Sequence, residues 1–261
     1  MAAVLVDSHC HIPMIEDPGG VEAILANAHA NGVQRMLCVA VEETDFPALK
    51  ALAETHADVY ASVGIHPNTE TGAELSVQQL LRAADHPGVI AIGETGLDYF
   101  RSRGDLDWQR ERFRTHIRAA REIGKPLIIH CREAKEDVLA ILREEQASEV
   151  GGVMHCFVED MDTARAAMDL GFLISFSGIV TFKNAAELMD VARDLPLQAM
   201  LVETDSPYLA PVPYRGKENQ PAWVRYVAEH IARLRDTDLD CIAAATTANF
   251  NRLFRPPNPL P

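Results

Sequence analysis

The sequence predicts one α/β protein, a single (β/α)8 TIM barrel with a metal site at the C-terminal rim of its strands. Hydrophobic runs recur roughly every 30 residues, close to one strand plus one helix of a barrel of about 250 residues. Most runs are apolar almost throughout rather than alternating, as parallel strands covered on both faces are. Several also end in residues that bind metals: Val4–His11 in His9-Cys10-His11, Val89–Glu94 in Glu94, Pro126–His130 in His130, Gly152–His155 in His155, and Met200–Asp205 in Asp205. Polar groups at one end of successive buried strands converge on one point.

The strands are expected at Val4–His9, Arg35–Val41, Val59–Ile65, Val89–Glu94, Pro126–His130, Gly152–His155, Phe172–Phe176 and Met200–Glu203. Each is rich in Val, Ile or Leu and too short for a helix. Amphipathic helical patterns lie between them, for example Gly20–Ala30, Phe46–His56, Leu106–Ile123, Ala134–Gln146, Met161–Leu170, Ala185–Arg193, Pro221–Leu234 and Leu239–Phe254. Gly32, Gly124 and Gly171 stand where helices end in a left-handed residue. Alternating strands and helices imply right-handed crossovers, in a closed barrel or an open sheet. Eight repeats favour closure, and the first turn is His-Cys-His-Ile-Pro rather than a Gly-rich phosphate loop. The barrel is assigned to residues 1–254, and the Pro-rich tail, 255–261, is expected to be extended or disordered.

The 261 residues, 48% hydrophobic, suffice for one large core. A net charge of -14 disfavours a broad grip on a polyanion, so any contact with nucleic acid is local. Five Cys and an opening Met-Ala-Ala-Val-Leu-Val-Asp without a basic segment point to reducing cytoplasm. No apolar stretch reaches the roughly 18 residues of a membrane span, and no obligate protein partner is inferred.

Alternation along a strand turns His9 and His11 the same way and Cys10 the opposite way. The same rule turns Cys131 and Cys156 from the faces of His130 and His155, which marks these thiols as packing residues. His9, His11, Glu94, His130, His155 and Asp205 then offer imidazole and carboxylate donors without a thiolate. That set suits Zn, Mn, Co or Ni, and Mg less naturally. Six ligands exceed one tetrahedral site, and two ions sharing Glu94 is the economical arrangement.

These residues resemble the TatD family of metal-dependent deoxyribonucleases, within the amidohydrolase-like barrel superfamily. The matching stretches are Asp7-Ser8-His9-Cys10-His11, Gly64-Ile65-His66-Pro67, Gly93-Glu94-Thr95-Gly96-Leu97-Asp98-Tyr99, His130-Cys131-Arg132 and His155-Cys156-Phe157, then Glu203-Thr204-Asp205-Ser206-Pro207-Tyr208, Arg215-Gly216-Lys217-Glu218-Asn219 and Thr247 to Phe254. The resemblance spans nearly the whole chain. It implies two divalent ions (Mg, Zn or Mn), one on His9, His11, Glu94 and Asp205, the other on Glu94, His130 and His155. It also implies phosphodiester hydrolysis of the 3′–5′ exonuclease type, with single-stranded DNA ends as substrate. Gln220 departs from the Glu more usual in relatives, which puts substrate preference in question.

Glu203 shares a strand face with Asp205 and is read as a partner of the metal centre or as a structural hydrogen-bonding group. His66 is placed at the same rim as a phosphate or leaving-group contact. Asp98, Tyr99, Arg215 and Lys217 are expected on the substrate side, with cations for phosphate and an aromatic ring for a base. Arg110, Arg114, Arg118 and Arg121 read as a solvated helix face paired with Glu111 and Glu122. Asp205 is assigned the proton of the attacking water, with Glu94, Glu203 and His66 as further catalytic groups. The rival enzyme is an ester or amide hydrolase on the same barrel, such as an aminoacyl-tRNA deacylase or a lactonase. A non-catalytic metal-stabilised barrel is the third reading.

Overall fold

A computed structural model describes residues 3–70 and 74–260. Its strands are β1 (Leu5–Cys10), β2 (Val33–Cys38), β3 (Val59–Val63), β4 (Val89–Asp98), β5 (Leu127–Arg132), β6 (Gly152–Met154), β7 (Phe172–Phe176) and β8 (Met200–Val202). All pair in parallel, in chain order. The ring closes just past the ends of β1 and β8. There the His11 N–H donates to Ser206 O at 2.8 Å and the Asp205 N–H to His9 O at 2.9 Å. The expected barrel is therefore the observed one, and its closing hydrogen bonds lie among the predicted ligands.

The helices are α1 (Gly20–Ala30), α2 (Phe46–Thr55), α3 (Val77–Ala84), α4 (Asp107–Ile123), α5 (Lys135–Glu144), α6 (Met161–Met168), α7 (Ala186–Asp194), α8 (Val224–Leu234) and α9 (Leu239–Phe254). The crossover helix α3 is short and buries only Leu80 and Ala84, a pattern too brief to stand out as periodic. Its start is marked instead by a capping box, in which Ser76 accepts from Gln79 N and Gln79 reaches back to Ser76 N.

Three strand ends differ from expectation in ways that shape the site. β4 continues four residues beyond Glu94, fully buried, so it carries both Glu94 and Asp98. β6 and β8 stop after three residues each, which leaves His155, Glu203 and Asp205 on the turns above them. The tail beyond α9 lies against the barrel, where Asn251 donates to Leu260 O at 2.7 Å and Tyr60 donates to Asn258 O at 2.9 Å. Pro261 lies outside the described residues.

The arginines of α4 reach a neighbouring helix more than their own. Arg114 pairs with Glu144 at 2.6 Å, Arg118 with Glu145 at 2.7 Å and Arg121 with Glu149 at 2.8 Å, while only Arg118 also meets the expected Glu111, at 3.0 Å. Glu122 takes a contact from Gln78 instead.

Gly96 shows how closely β4 and β5 approach. Its φ is +140°, and a Cβ there would lie 2.0 Å from the backbone oxygen of His130. Gly96→Ala should lower unfolding stability by about 1–3 kcal/mol or more, measured by urea titration. An unchanged midpoint would show that this approach is not constrained.

Candidate metal centre

Above the strand ends, His9, His11, His66, His130 and His155 meet Glu94, Asp98, Glu203 and Asp205. Glu94, only 3% exposed, sits in the middle. Its Oε1 is 2.8 Å from His130 Nδ1, 2.7 Å from His155 Nε2 and 3.4 Å from His66 Nε2. Its Oε2 faces the other way, 3.4 Å from His9 Nε2. His9 and His11 bring their Nε2 atoms within 3.2 Å, as alternation along β1 requires, and Asp205 Oδ1 lies 3.4 Å from His11 Nε2. One carboxylate thus presents an oxygen to each half of the cluster.

The outer nitrogens of three rings are tied to acceptors. His11 Nδ1 faces Val39 O at 2.9 Å, His130 Nε2 faces Asp98 Oδ2 at 3.1 Å, and His155 Nδ1 faces Glu203 Oε1 at 3.3 Å. A carbonyl or carboxylate accepts only, so these nitrogens carry the protons, and in the neutral rings the inner nitrogens present lone pairs. Those lone pairs would face the oxygens of Glu94 or Asp205, so each contact requires either a second proton on the ring or a metal ion between the two groups.

The donor chemistry agrees. Among the described residues, His9 Nδ1 and Glu203 Oε2 are buried without a hydrogen-bond partner. Three overlapping sets, His9–His11–Asp205, His66–Glu94–His130 and His9–His155–Glu203, each bring their ligand atoms within 4.8 Å of one another. Nitrogen and oxygen donors in this density fit divalent ions. His66 differs from the other rings, because its Nδ1 accepts from the Asn68 N–H at 3.0 Å and its proton therefore sits on Nε2.

In the metal-free centre the rings of His155 and His130 are favoured in their protonated forms, and although burial opposes ionisation of Glu94, the charge of His155 and the hydrogen bonds that His130 and His155 then donate outweigh it and hold the group well below the usual carboxylate range. Asp205 is likewise kept ionised against burial, chiefly by His11 and then by His9. Asp98 is held low in the same manner by His130, the Arg101 N–H and Asn68.

A cavity of about 590 Å³ opens over this cluster, lined by His11, His66, Glu94, Asp98, His130, His155 and Asp205 among others. Both oxygens of Asp98 are engaged, by His130 and Asn68 on one side and by the Phe100 and Arg101 N–H groups on the other, so it orients His130 rather than reaching outward. Tyr99, Arg215 and Lys217 are not part of the wall. Tyr99 donates to Asp137 at 2.5 Å, the Arg215 guanidinium lies 3.7 Å from the centre of the Phe182 ring, and Lys217 sits 5.4 Å from that of Tyr214. Gln220 accepts from Asn27 on α1, also away from the cavity. Cys131 and Cys156, expected to turn aside, contribute to the wall. Cys156 has a φ of +44°, which ends the strand alternation on which that expectation rested.

Sequence reasoning passes over a second polar layer. On the inner face of α4, Gln109 accepts from the Asp98 N–H at 2.8 Å and donates to Pro67 O at 3.0 Å. Arg112 donates to His66 O at 2.9 Å and Thr69 O at 2.8 Å, and pairs with Glu74 at 2.6 Å. His116 accepts from the Ile65 N–H at 3.0 Å and donates to Arg112 O at 2.8 Å. One helix thereby fixes the loop of His66 and the end of β4. Asn219 does the same after β8, donating to Thr204 O and Tyr208 O at 2.9 and 2.6 Å on either side of Asp205. The three-and-four spacing of 109, 112 and 116 is the only signal, and it is masked by the half-buried arginines Arg110 and Arg114 between them.

A family model described as TatD related DNase matches residues 6–255. The Escherichia coli (strain K12) protein named uncharacterized metal-dependent hydrolase YcfH is 49% identical over 253 residues, covering 96% of this chain and 95% of that one. YabD of Bacillus subtilis (strain 168), named in the same way, is 40% identical over 253 residues, covering 97% and 99%. The crystal structure of the TatD homologue YjjV from Escherichia coli K12 superposes with a TM-score of 0.91 at 31% identity, covering 98% of this chain and 100% of that one.

His116 gives the second layer a measurable pH signature. Burial pushes its pKa down from 6.5 to about 4, so the fold holds it neutral while the unfolded chain protonates it first. Its contribution is complete above pH 6.5 and is lost as pH falls through 6.5 towards 4, to a total of about 3 kcal/mol. Urea unfolding at neutral and mildly acidic pH should show a smaller loss on acidification for His116→Gln than for the parent. Equal losses would exclude His116 as the titrating group.

Proposed function

From the premise that the chain belongs to the TatD-related DNase family, shown by the match over residues 6–255, we propose that it is a metal-dependent hydrolase of phosphodiester bonds, acting on DNA from a single-stranded end. The carrying observation is Glu94, whose Oε1 faces His130 and His155 while its Oε2 faces His9. In this reading His9, His11, Glu94 and Asp205 hold one divalent ion and Glu94, His130 and His155 the other, with Glu203 and Asp98 orienting the rings. Two ions there, Mg, Zn or Mn, supply Lewis-acid polarisation of the phosphoryl group and a more acidic attacking water.

The chain's own groups do the rest. Asp205 is ionised, lines the cavity and is the most open carboxylate of the ligand set, with 16% of its side chain exposed against 4% for Glu94. It accepts the proton of the water as the water oxygen bonds to phosphorus and the P–O bond to the leaving group breaks. His66 carries its proton on Nε2, at the cavity wall, and donates to a phosphoryl oxygen or to the departing oxygen. Neighbouring rings cannot drift, because Val39 O, Asp98 and Glu203 hold His11, His130 and His155 from behind.

The test is metal analysis of the purified protein combined with hydrolysis assays on single- and double-stranded DNA, RNA, aminoacyl-tRNA and lactones. DNA cleavage should vanish with chelator and return with a divalent ion. Asp205→Asn should remain folded by circular dichroism while losing about 10²–10⁴-fold in rate. DNA cleavage indifferent to chelator, or turnover of a lactone or an aminoacyl ester but not DNA, would overturn the reading.

A further inference from the structure

We propose that the mouth of the cavity is a binding site for unstacked nucleotides, with Phe100 and Tyr208 receiving bases on either side of the metal cluster and Arg101 and Arg132 receiving phosphates. The inference rests on the hydrolase reading only in taking the cluster as the place of the reacting phosphate.

Exposed apolar surface is unevenly distributed. Of the large hydrophobic side chains that stand exposed among the described residues, Met14, Phe100, Val158 and Tyr208 all line this one cavity, and only Val4 and Val212 lie elsewhere. Phe100 and Tyr208 are 50% and 57% exposed. Concentration of such groups around one opening marks a surface that is covered when a ligand binds.

The two rings are attached to opposite halves of the cluster. The Phe100 N–H donates to Asp98, which holds His130. Tyr208 stands edge-on to His11, with ring centres 6.4 Å apart, and its hydroxyl contacts the Met14 sulfur at 4.0 Å. A strand with one phosphate over Glu94 therefore meets an exposed aromatic face in each direction.

Charge selects the occupant. Arg101 and Arg132 are exposed on the cavity wall, and among the described residues neither forms a salt bridge, in a chain of net charge -14 whose α4 arginines are all paired. Arg132 also lies 4.9 Å from the centre of the Phe100 ring, so one corner of the mouth offers a cation and a π face together. An apolar peptide or a neutral ester has no use for two unpaired guanidinium groups. A nucleotide chain uses both elements, its phosphates for the arginines and its bases for the rings. Bases stacked inside a duplex cannot reach the rings, which selects single strands. These residues occupy the substrate side that the sequence assigns to Tyr99, Arg215 and Lys217.

Binding is measured without turnover, by fluorescence anisotropy in chelator. The ligands are a labelled oligothymidylate of about a dozen nucleotides, the matching oligouridylate, a backbone of the same length lacking bases, and a blunt hairpin duplex. The single strands should bind more tightly than both the duplex and the abasic backbone. Phe100→Ala and Tyr208→Ala should each weaken binding of the strands with bases by at least about fivefold and leave the abasic backbone nearly unaffected. Phe100→Trp should retain binding. Arg132→Ala and Arg101→Ala should weaken all single strands and each reduce the slope of log affinity against log salt by about 0.7. Arg165→Ala, which removes the same charge from an exposed face of α6, should bind like the parent.

Equal affinity for abasic and base-bearing strands, variants that bind like the parent, or no binding by any of them overturns the site. A protein that binds strands through these residues yet cleaves none with metal restored instead sinks the hydrolase reading and leaves the site standing.

Discussion

A carboxylate taken almost wholly out of water and still ionised must be compensated inside the protein, and Glu94 places that demand on everything around it. Imidazoles from β1, β5 and the turn after β6 supply the compensation from two sides. Each of those imidazoles then requires an orientation. Backbone carbonyl, Asp98 and Glu203 provide it, and their own positions are set by β2, by the long β4 and by the turn after β8. A ring of parallel strands suits such nested demands, because every strand end lies near every other.

Helix α4 divides its work between two faces. Its outer face carries arginines that reach across to α5 and the turn beyond, contacts that are largely exposed and contribute little individually to stability. Its inner face carries Gln109, Arg112 and His116, all buried, and their partners are loop carbonyls and N–H groups that no strand can satisfy. The second face has the larger structural consequence, since it is what keeps the His66 loop and the end of β4 in register with the cluster.

The barrel and its centre are legible in the sequence for the same reason. Strand ends in a parallel ring share one rim, so His9, His11, Glu94, His130, His155 and Asp205 come together once the strands are recognised. Legibility stops where the strands stop. Cys156 follows a backbone reversal, and Arg215 and Lys217 come after β8 on a segment whose side chains settle on the nearby rings of Phe182 and Tyr214. Direction in such segments is set by whatever lies beside them, which alternation does not encode. Arg112 and His116 are hidden for another reason. Buried polar residues on a helix look like solvated ones until the carbonyls they meet are known, and the capping box of α3 is likewise visible only to a reader who looks for caps rather than periods.

Closure of the ring between the first strand and the last has a bearing on biosynthesis. His9 and His11 leave the ribosome early, while Asp205 and the Ser206 backbone that complete their surroundings come almost two hundred residues later. A nascent chain that has built the first seven strands holds an open edge and a cluster that still lacks Glu203 and Asp205. The centre is finished only as the barrel is, so a product that stops before β8 lacks both the closing hydrogen bonds and the last ligand.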